Sequence, residues 1–338
     1  MKKAKKKVVA KQYFSDCRRF AEICNHGLFC GETVLQAEKL KEMDSEEQAV
    51  TGVSTDNLEV VWKNRDILKQ YEDGTLFMIV GIESQTDVHY CMPLRNLLYD
   101  ALSYEEQRID IYRDHKRKKD LRGPEYVGGF SKNDRLHPVF TLVLYYGEKE
   151  WDGAKTLRDL LDIPEELKPF QDRLLDYKIN ILDIHRIENL DDYTDELRAL
   201  FGFMKYEKDK TALFNYIDKN VKIFNHMSIE TARAISVLTE VEKVEQYVKR
   251  KQKEGKESVN MCQALRDMER DARKQGRLEG MKRGEKRGKA LERENGIRNL
   301  IEDNMEEGIE RERILTKLIR RYHLDHDLAE QYYAKFAV

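Results

Sequence analysis

The chain has 338 residues, 37% of them charged and 40% hydrophobic, with 17 Tyr, 12 Phe and 2 Trp. That apolar stock is enough for a sizeable core and excludes a disordered chain, while 5 Pro and 18 Gly exclude collagen-like or Pro-rich material. The net charge of −2 hides local basic stretches: residues 2–11 hold six Lys and no acid, and residues 243–295 hold 17 Lys and Arg against 10 Asp and Glu. Such stretches suit either a partner with a polyanionic backbone or a solvated helix surface. No apolar run approaches the ~18 residues of a membrane helix. The basic start has no long apolar stretch behind it, so no signal peptide, no membrane and a cytoplasmic location are expected. The five cysteines are odd in number and lack a C-x-x-C, and the spacing of Cys24, His26 and Cys30 suits no common zinc module.

In chain order, a basic tail is expected at 1–11. A helix is expected over 14–24, where Phe14, Cys17, Phe20, Ala21 and Cys24 fall at helical spacing before Asn25-His26-Gly27. Residues 57–71 read as extended, Asp73-Gly74 as a hairpin turn, and 75–83 as a near-continuous apolar strand covered on both faces. Pro93 starts a helix over about 93–112, and further strands are expected at 138–146 and 178–184. This order implies an α/β (α+β) core, a mixed sheet flanked by helices, over 12–190. A helical extension follows at 191–250, with Val237, Val241, Val244 and Val248 on one stripe, as in a core or helix–helix seam. Residues 251–296 read as a weak charged helix or linker, because Gly276, Gly280, Gly284 and Gly288 each cost a helix ~1 kcal/mol against Ala. Apolar residues return at 297–338 in the pattern of a small helical hairpin. Three uses are open to that hairpin: binding DNA, pairing chains into a homo-oligomer, or docking on the core.

The 57–85 hairpin carries the chemistry. With Asp73 and Gly74 as the two central turn residues, Asp66 lies across from Gly81, and Asp66, Glu83 and Gln85 project from one face. Asp66 and Glu83 are then diagonal neighbours at roughly 7–8 Å. Two carboxylates on one half-buried face repel each other, and a divalent cation removes that cost. Oxygen ligation completed by water and phosphate suits Mg²⁺, which activates water and polarises a phosphoryl group in phosphodiester hydrolysis. Gln85, one strand step beyond Glu83, can orient the attacking water.

The stretches Arg65–Lys69, Ile82–Thr86, Met92–Asp100, Tyr104–Gln107 and His137–Gly147, with Trp151, resemble the recombination-promoting nuclease (Rpn)/putative transposase family of the PD-(D/E)XK nuclease superfamily. The likeness covers about residues 12 to 200. It implies a restriction-endonuclease-like fold followed by a helical C-terminal region, with Asp66 and Glu83 as the motif acids and Gln85 at the position usually held by Lys. It further implies a metal-binding acid from the first helix, for which Glu22 is the first choice and Asp16 the second. On the helix after the second acid, Arg95, Tyr99 and Gln107 offer polar groups at about helical spacing for nucleic-acid contact. Arg95 can reach a phosphate, or equally brace the fold. Two departures are visible. Arg65 stands where the superfamily motif has Pro, and Gln85 lacks the charge of Lys; Lys69 cannot replace it, because alternation turns it to the opposite face.

The function expected is therefore a Mg²⁺-dependent endonuclease acting on double-stranded DNA. The alternative is a catalytically inactive DNA-binding or oligomerisation protein on the same fold. A coiled-coil-tailed structural protein is disfavoured by the lack of apolar heptads over 276–288. No DDE-type integrase pattern supports the transposase label.

Overall fold

The computed structural model describes residues 2–43, 67–82, 90–147 and 150–337. The chain divides into two units, Met1–Ala264 and Leu265–Val338.

The first unit opens with two helices, α1 (Lys2–Phe14) and α2 (Cys17–Phe29), where the sequence predicts one. The chain breaks at Ser15-Asp16 because the Asp16 carboxylate accepts the N–H groups of Arg18 and Arg19 and caps α2. Asn25 does not end that helix. Its amide side chain is turned onto both backbone groups of Leu35, and α2 runs on to Cys30 in the left-handed conformation. Gly27 is needed where α2 crosses the sheet: a Cβ there would lie 2.7 Å from the Leu142 methyls. The expected basic tail is thus a helix with Val9, Ala10, Tyr13 and Phe14 buried. Lys5 pairs with Glu245, and the buried Lys6 pairs with Glu240. These lysines are neutralised within the chain.

The sheet has the order β1 (Leu40–Glu42), β2 (Ile67–Tyr71), β3 (Leu76–Ile82), β4 (Val139–Tyr145), β5 (Asn180–Asp183). The β1–β2 and β2–β3 pairs are antiparallel, and β3–β4 and β4–β5 are parallel. The β3–β4 crossover is α3 (Met92–Lys118), with Pro93 in its first turn, followed by the short α4 (Pro124–Gly128). On one face of the sheet Leu68, Leu76, Val139 and Val143 pack with Met92 and Tyr99 of α3 and with Trp151. On the other, Phe77 and Phe140 stack at 5.3 Å and meet Phe29 of α2 edge-on. Burial on both faces is why β3 and β4 read as unbroken apolar runs rather than alternating ones.

The helical extension is α5 (Asp195–Tyr206), α6 (Lys210–Lys219), α7 (Val221–Asn225), α8 (Ile229–Leu238) and α9 (Glu242–Lys253). Between these last helices and around them run β6 (Met227–Ser228) and β7 (Ser258–Val259), a two-stranded pair. Val237, Val244 and Val248 are buried as their stripe predicts, but Glu240 at φ 55° breaks the helix between them.

A continuous helix of 46 residues, α10 (Met261–Glu306), begins in the first unit and runs into the second. Its four regularly spaced glycines meet nothing within 4 Å beyond the helix itself. In the second unit Ile297, Leu300 and Ile301 at its end form a core with α11 (Arg311–Tyr322) and α12 (His326–Phe336), through Ile314, Leu315, Leu318, Leu324 and Ala329. The expected hairpin is completed by a third helix, because two short helices alone leave an apolar face uncovered. No described helix is long and apolar enough to cross a membrane.

Candidate functional site

The described part of the acid-bearing hairpin pairs Ile67 with Ile79, Leu68 with Met78, Lys69 with Phe77 and Gln70 with Leu76. The loop holds three residues, Glu72-Asp73-Gly74, not two. Gly74 N–H bonds to Tyr71 O, Tyr71 N–H bonds to Thr75 O, and Gly74 takes φ +90°. This is a type I turn followed by a left-handed glycine. The Asp73 carboxylate accepts Thr75 N–H and is held below the usual carboxylate range, mainly by that bond. A two-residue loop places Asp66 opposite Gly81, whereas the observed pairing is shifted by one residue. Such a slip exchanges the two faces. Asp66, Glu83 and Gln85 themselves lie outside the described residues.

Lys69 is only 1% exposed; it points to the α2 side, donates to Glu42 and to the Cys17 sulfur, and lies over the Phe20 ring.

Glu22 sits on α2 beside a broad open cleft of about 950 Å³ lined also by Arg18, His26, Asp192 and Thr194. Its carboxylate accepts Thr194 N–H and Thr194 Oγ1–H, and so caps the start of α5. Asp16, the second choice, caps α2 in the same manner. Among the described residues no group of three His, Cys, Asp or Glu side chains is arranged to hold a metal.

On α3, positions 92, 96, 99, 100 and 103 form the buried stripe facing the sheet. Tyr99 lies in that stripe, fully buried, with its hydroxyl accepting from Arg95 Nε at 2.7 Å. Gln107 grips the entry to β4: its Nε2 donates to His137 O and its Oε1 accepts His137 N–H. The structure therefore engages Tyr99 and Gln107 internally, and only Arg95, half-buried, keeps guanidinium N–H groups beyond its bond to Tyr99.

Three polar features of α3 escaped the sequence. The buried Asp100 carboxylate accepts from Thr141 Oγ1 and from the Tyr177 hydroxyl, each at 2.5 Å, joining α3 to β4 and to the approach to β5. Burial, and then the neighbouring Asp100 charge, push the Tyr177 hydroxyl well above the ordinary phenol value. Asn96, one turn earlier, is buried with neither amide atom hydrogen-bonded among the described residues. At the far end, His115 donates or accepts on both ring nitrogens, to Asp120 at 2.7 Å and Asp134 at 2.8 Å. The i, i+4 spacing of Asn96 and Asp100 on the apolar stripe was the one available signal; the His115 partners lie in an irregular loop that no periodicity marks.

Residues 69–234 match the model of the family described as "Putative transposase, YhgA-like". The match runs from β2 into α8. It includes Glu83, Gln85, Arg95, Tyr99 and Gln107 and leaves out Glu22 and Asp66. No curated protein and no solved structure matches the chain.

Proposed function

Residues 69–234 belong to the YhgA-like transposase family, and from that premise we propose that the protein is a Mg²⁺-dependent DNA endonuclease. Its product would serve DNA recombination or the movement of a mobile element. The observation that supports it most is the sheet. The chain leaves β2 at its N-terminal end toward Asp66 and β3 at its C-terminal end toward Glu83, and in an antiparallel pair these are the same end. A mixed sheet with helices on both faces is the frame the nuclease superfamily implies.

Asp66 and Glu83 would hold Mg²⁺, which when bound supplies a Lewis acid for a phosphoryl oxygen and lowers the pKa of a bound water. Gln85 positions that water by hydrogen bonding and takes up no proton. Arg95, anchored through Nε on the buried Tyr99, can present its remaining N–H groups to a phosphate. Glu22, which caps the start of α5, is the acid of the first two helices that would join Asp66 and Glu83.

A second reading is a DNA-binding or oligomerisation protein without turnover. The neutral Gln85 favours it, as does a hairpin register one residue off that of a two-residue loop. A plasmid-nicking assay separates the two. Wild type should nick in Mg²⁺ and not in EDTA, and Asp66→Ala and Glu83→Ala should not nick while keeping wild-type circular dichroism. Equal nicking by all three proteins removes the nuclease reading.

A further inference from the structure

The end of α3 and the loop leading to β4 carry a charge pattern that the fold does not use. Residues 113–135 contain eight Lys and Arg and four Asp and Glu. All four acids are engaged within the segment. Asp120 and Asp134 clasp His115. The Glu125 carboxylate accepts Lys132 N–H at 3.0 Å and the Ser131 hydroxyl. Asp114 pairs with Arg117 and Lys118. By contrast Lys116, Lys119, Arg122 and Lys132 are exposed and have no carboxylate partner among the described residues. Arg135 is also exposed, tethered by one nitrogen to the Lys132 and Asp134 carbonyls. The negative end of the α3 dipole explains cations in the last helical turn. It does not reach Arg122, Lys132 or Arg135 in the loop.

The same loop lifts two apolar side chains into water: Tyr126 is 72% exposed and Val127 88%. They ride on α4, whose two ends are flanked by glycines at positive φ, Gly123 at +57° and Gly129 at +64°. Gly129 sits so close to the Tyr112 ring that a Cβ would approach it to 2.4 Å. Together with the His115 clasp, this makes the loop a shaped platform that holds an aromatic ring outward among cations. An exposed ring in a segment of exposed cations matches nucleic acid, whose backbone takes the charge and whose bases or sugars take the ring. Insertion into an anionic lipid surface needs a larger apolar face than two side chains.

We propose that the 113–135 platform is a nucleic-acid contact, with Lys116, Lys119, Arg122, Lys132 and Arg135 on the phosphate backbone of a duplex and Tyr126 against its sugars or bases. It is distinct from the acid-bearing end of the sheet. Val139 pairs with Leu76 at the turn end of the hairpin, and seven residues of β3 put roughly 20 Å between that end and the one leading to Glu83. The proposal rests on the nucleic-acid half of the function above and not on turnover.

The test measures binding of the full chain to a labelled 20-base-pair DNA duplex by anisotropy, in EDTA, over a series of salt concentrations. Arg122→Glu with Lys132→Glu should weaken binding at least tenfold. The milder Arg122→Gln with Lys132→Gln should lower the salt slope by about two, one for each phosphate no longer neutralised. Tyr126→Ala should weaken binding severalfold at unchanged slope. All these platform side chains are exposed, so melting temperatures of the platform variants should not move. Binding by both charge variants equal to wild type overturns the proposal. So does a wild type that ignores DNA, including one that instead binds phosphatidylserine vesicles through Tyr126. Platform-dependent binding without nicking keeps the proposal and removes the nuclease reading; nicking that is indifferent to the platform does the reverse.

Discussion

Replacing Arg19 with Met tests whether the helical extension is integral to the sheet domain. Arg19 is buried on α2 and reaches three other helices. Its guanidinium grips Glu230 of α8 with two nitrogens at 2.7 and 2.9 Å, donates to Glu196 of α5 at 2.8 Å, and donates to the Tyr13 carbonyl of α1 at 3.0 Å. Its carbon lies 4.0 Å from the Tyr13 ring centroid. Burial works against its charge, but Glu230 and Glu196 more than offset this and hold it firmly protonated. The Glu196 and Glu230 side chains are 42% and 57% exposed and can rehydrate, so the cost falls short of that of breaking a fully buried pair. Three half-exposed charge contacts at ~0.5–1 kcal/mol each, with about 1 kcal/mol for the carbonyl left without its donor, give about 2–4 kcal/mol. Met keeps the packing over Tyr13. Both tryptophans, Trp62 and Trp151, lie within Met1–Ala264, so tryptophan fluorescence in urea reports that unit. At a slope of about 3 kcal/mol/M the midpoint should fall by roughly 1 M. A midpoint within 0.3 M of wild type (about a third of that shift) at unchanged slope would refute the reasoning, as would strict additivity between Arg19→Met and Glu230→Gln.

Three further outcomes are expected. Tyr177→Phe leaves the buried Asp100 oxygen without its donor and should cost ~1–3 kcal/mol in the same urea assay; no loss would mean water replaces the hydroxyl. His115 is raised above the ordinary imidazole value, first by Asp120 and then by Asp134. Its clasp is therefore complete below about pH 6.5, the unfolded value, and is lost as pH rises through the raised folded one. An NMR titration should show that upward shift, with Asp134→Asn lowering it, and an unshifted imidazole would count against the clasp. Gly27→Ala should destabilise by ~1–3 kcal/mol, since its methyl meets the buried Leu142. Gly280→Ala, with open space around it, should instead stabilise α10 by up to about 1 kcal/mol. Thermal melts that rank these two alike would contradict the packing.

The strands β3 and β4 and the Pro93 helix were legible because each is a long apolar run or stripe bounded by a turn residue. What was not legible turns on single side chains choosing between partners. Asp16 and Asn25 suit a cap or a helix end equally well, and only the position of Leu35 draws the Asn25 amide away. Lys5 and Lys6 look like a solvated tail until Glu245 and Glu240 come alongside from the other end of the same unit. The Asp73-Gly74 pair accommodates a two-residue loop or the end of a three-residue one, since both need a glycine at positive φ. The choice shifts every facing pair of the hairpin, and the expectation that Asp66 and Glu83 share a face depends on it.

The facing of Asp66 and Glu83 has a thermodynamic consequence that needs no turnover. If Asp66 and Glu83 converge, their repulsion destabilises the metal-free fold, and Asp66→Asn should melt higher than wild type in EDTA. Mg²⁺ should then stabilise wild type alone, by about 1.4 kcal/mol at ten times its dissociation constant. In a unit of this size that is roughly 3–5 °C. Glu22→Gln keeps an acceptor for Thr194, so it should lose little stability and retain the whole Mg²⁺ effect; losing that effect would make Glu22 a ligand as well as a cap. If the carboxylates face opposite sides of the sheet, neither has a like charge to repel. Asp66→Asn then leaves the metal-free melt unchanged, and Mg²⁺ moves wild type and variant alike. Differential scanning fluorimetry on the three proteins, with and without Mg²⁺, separates these cases, and equal shifts in wild type and Asp66→Asn would exclude a shared cation whatever the nicking assay returns.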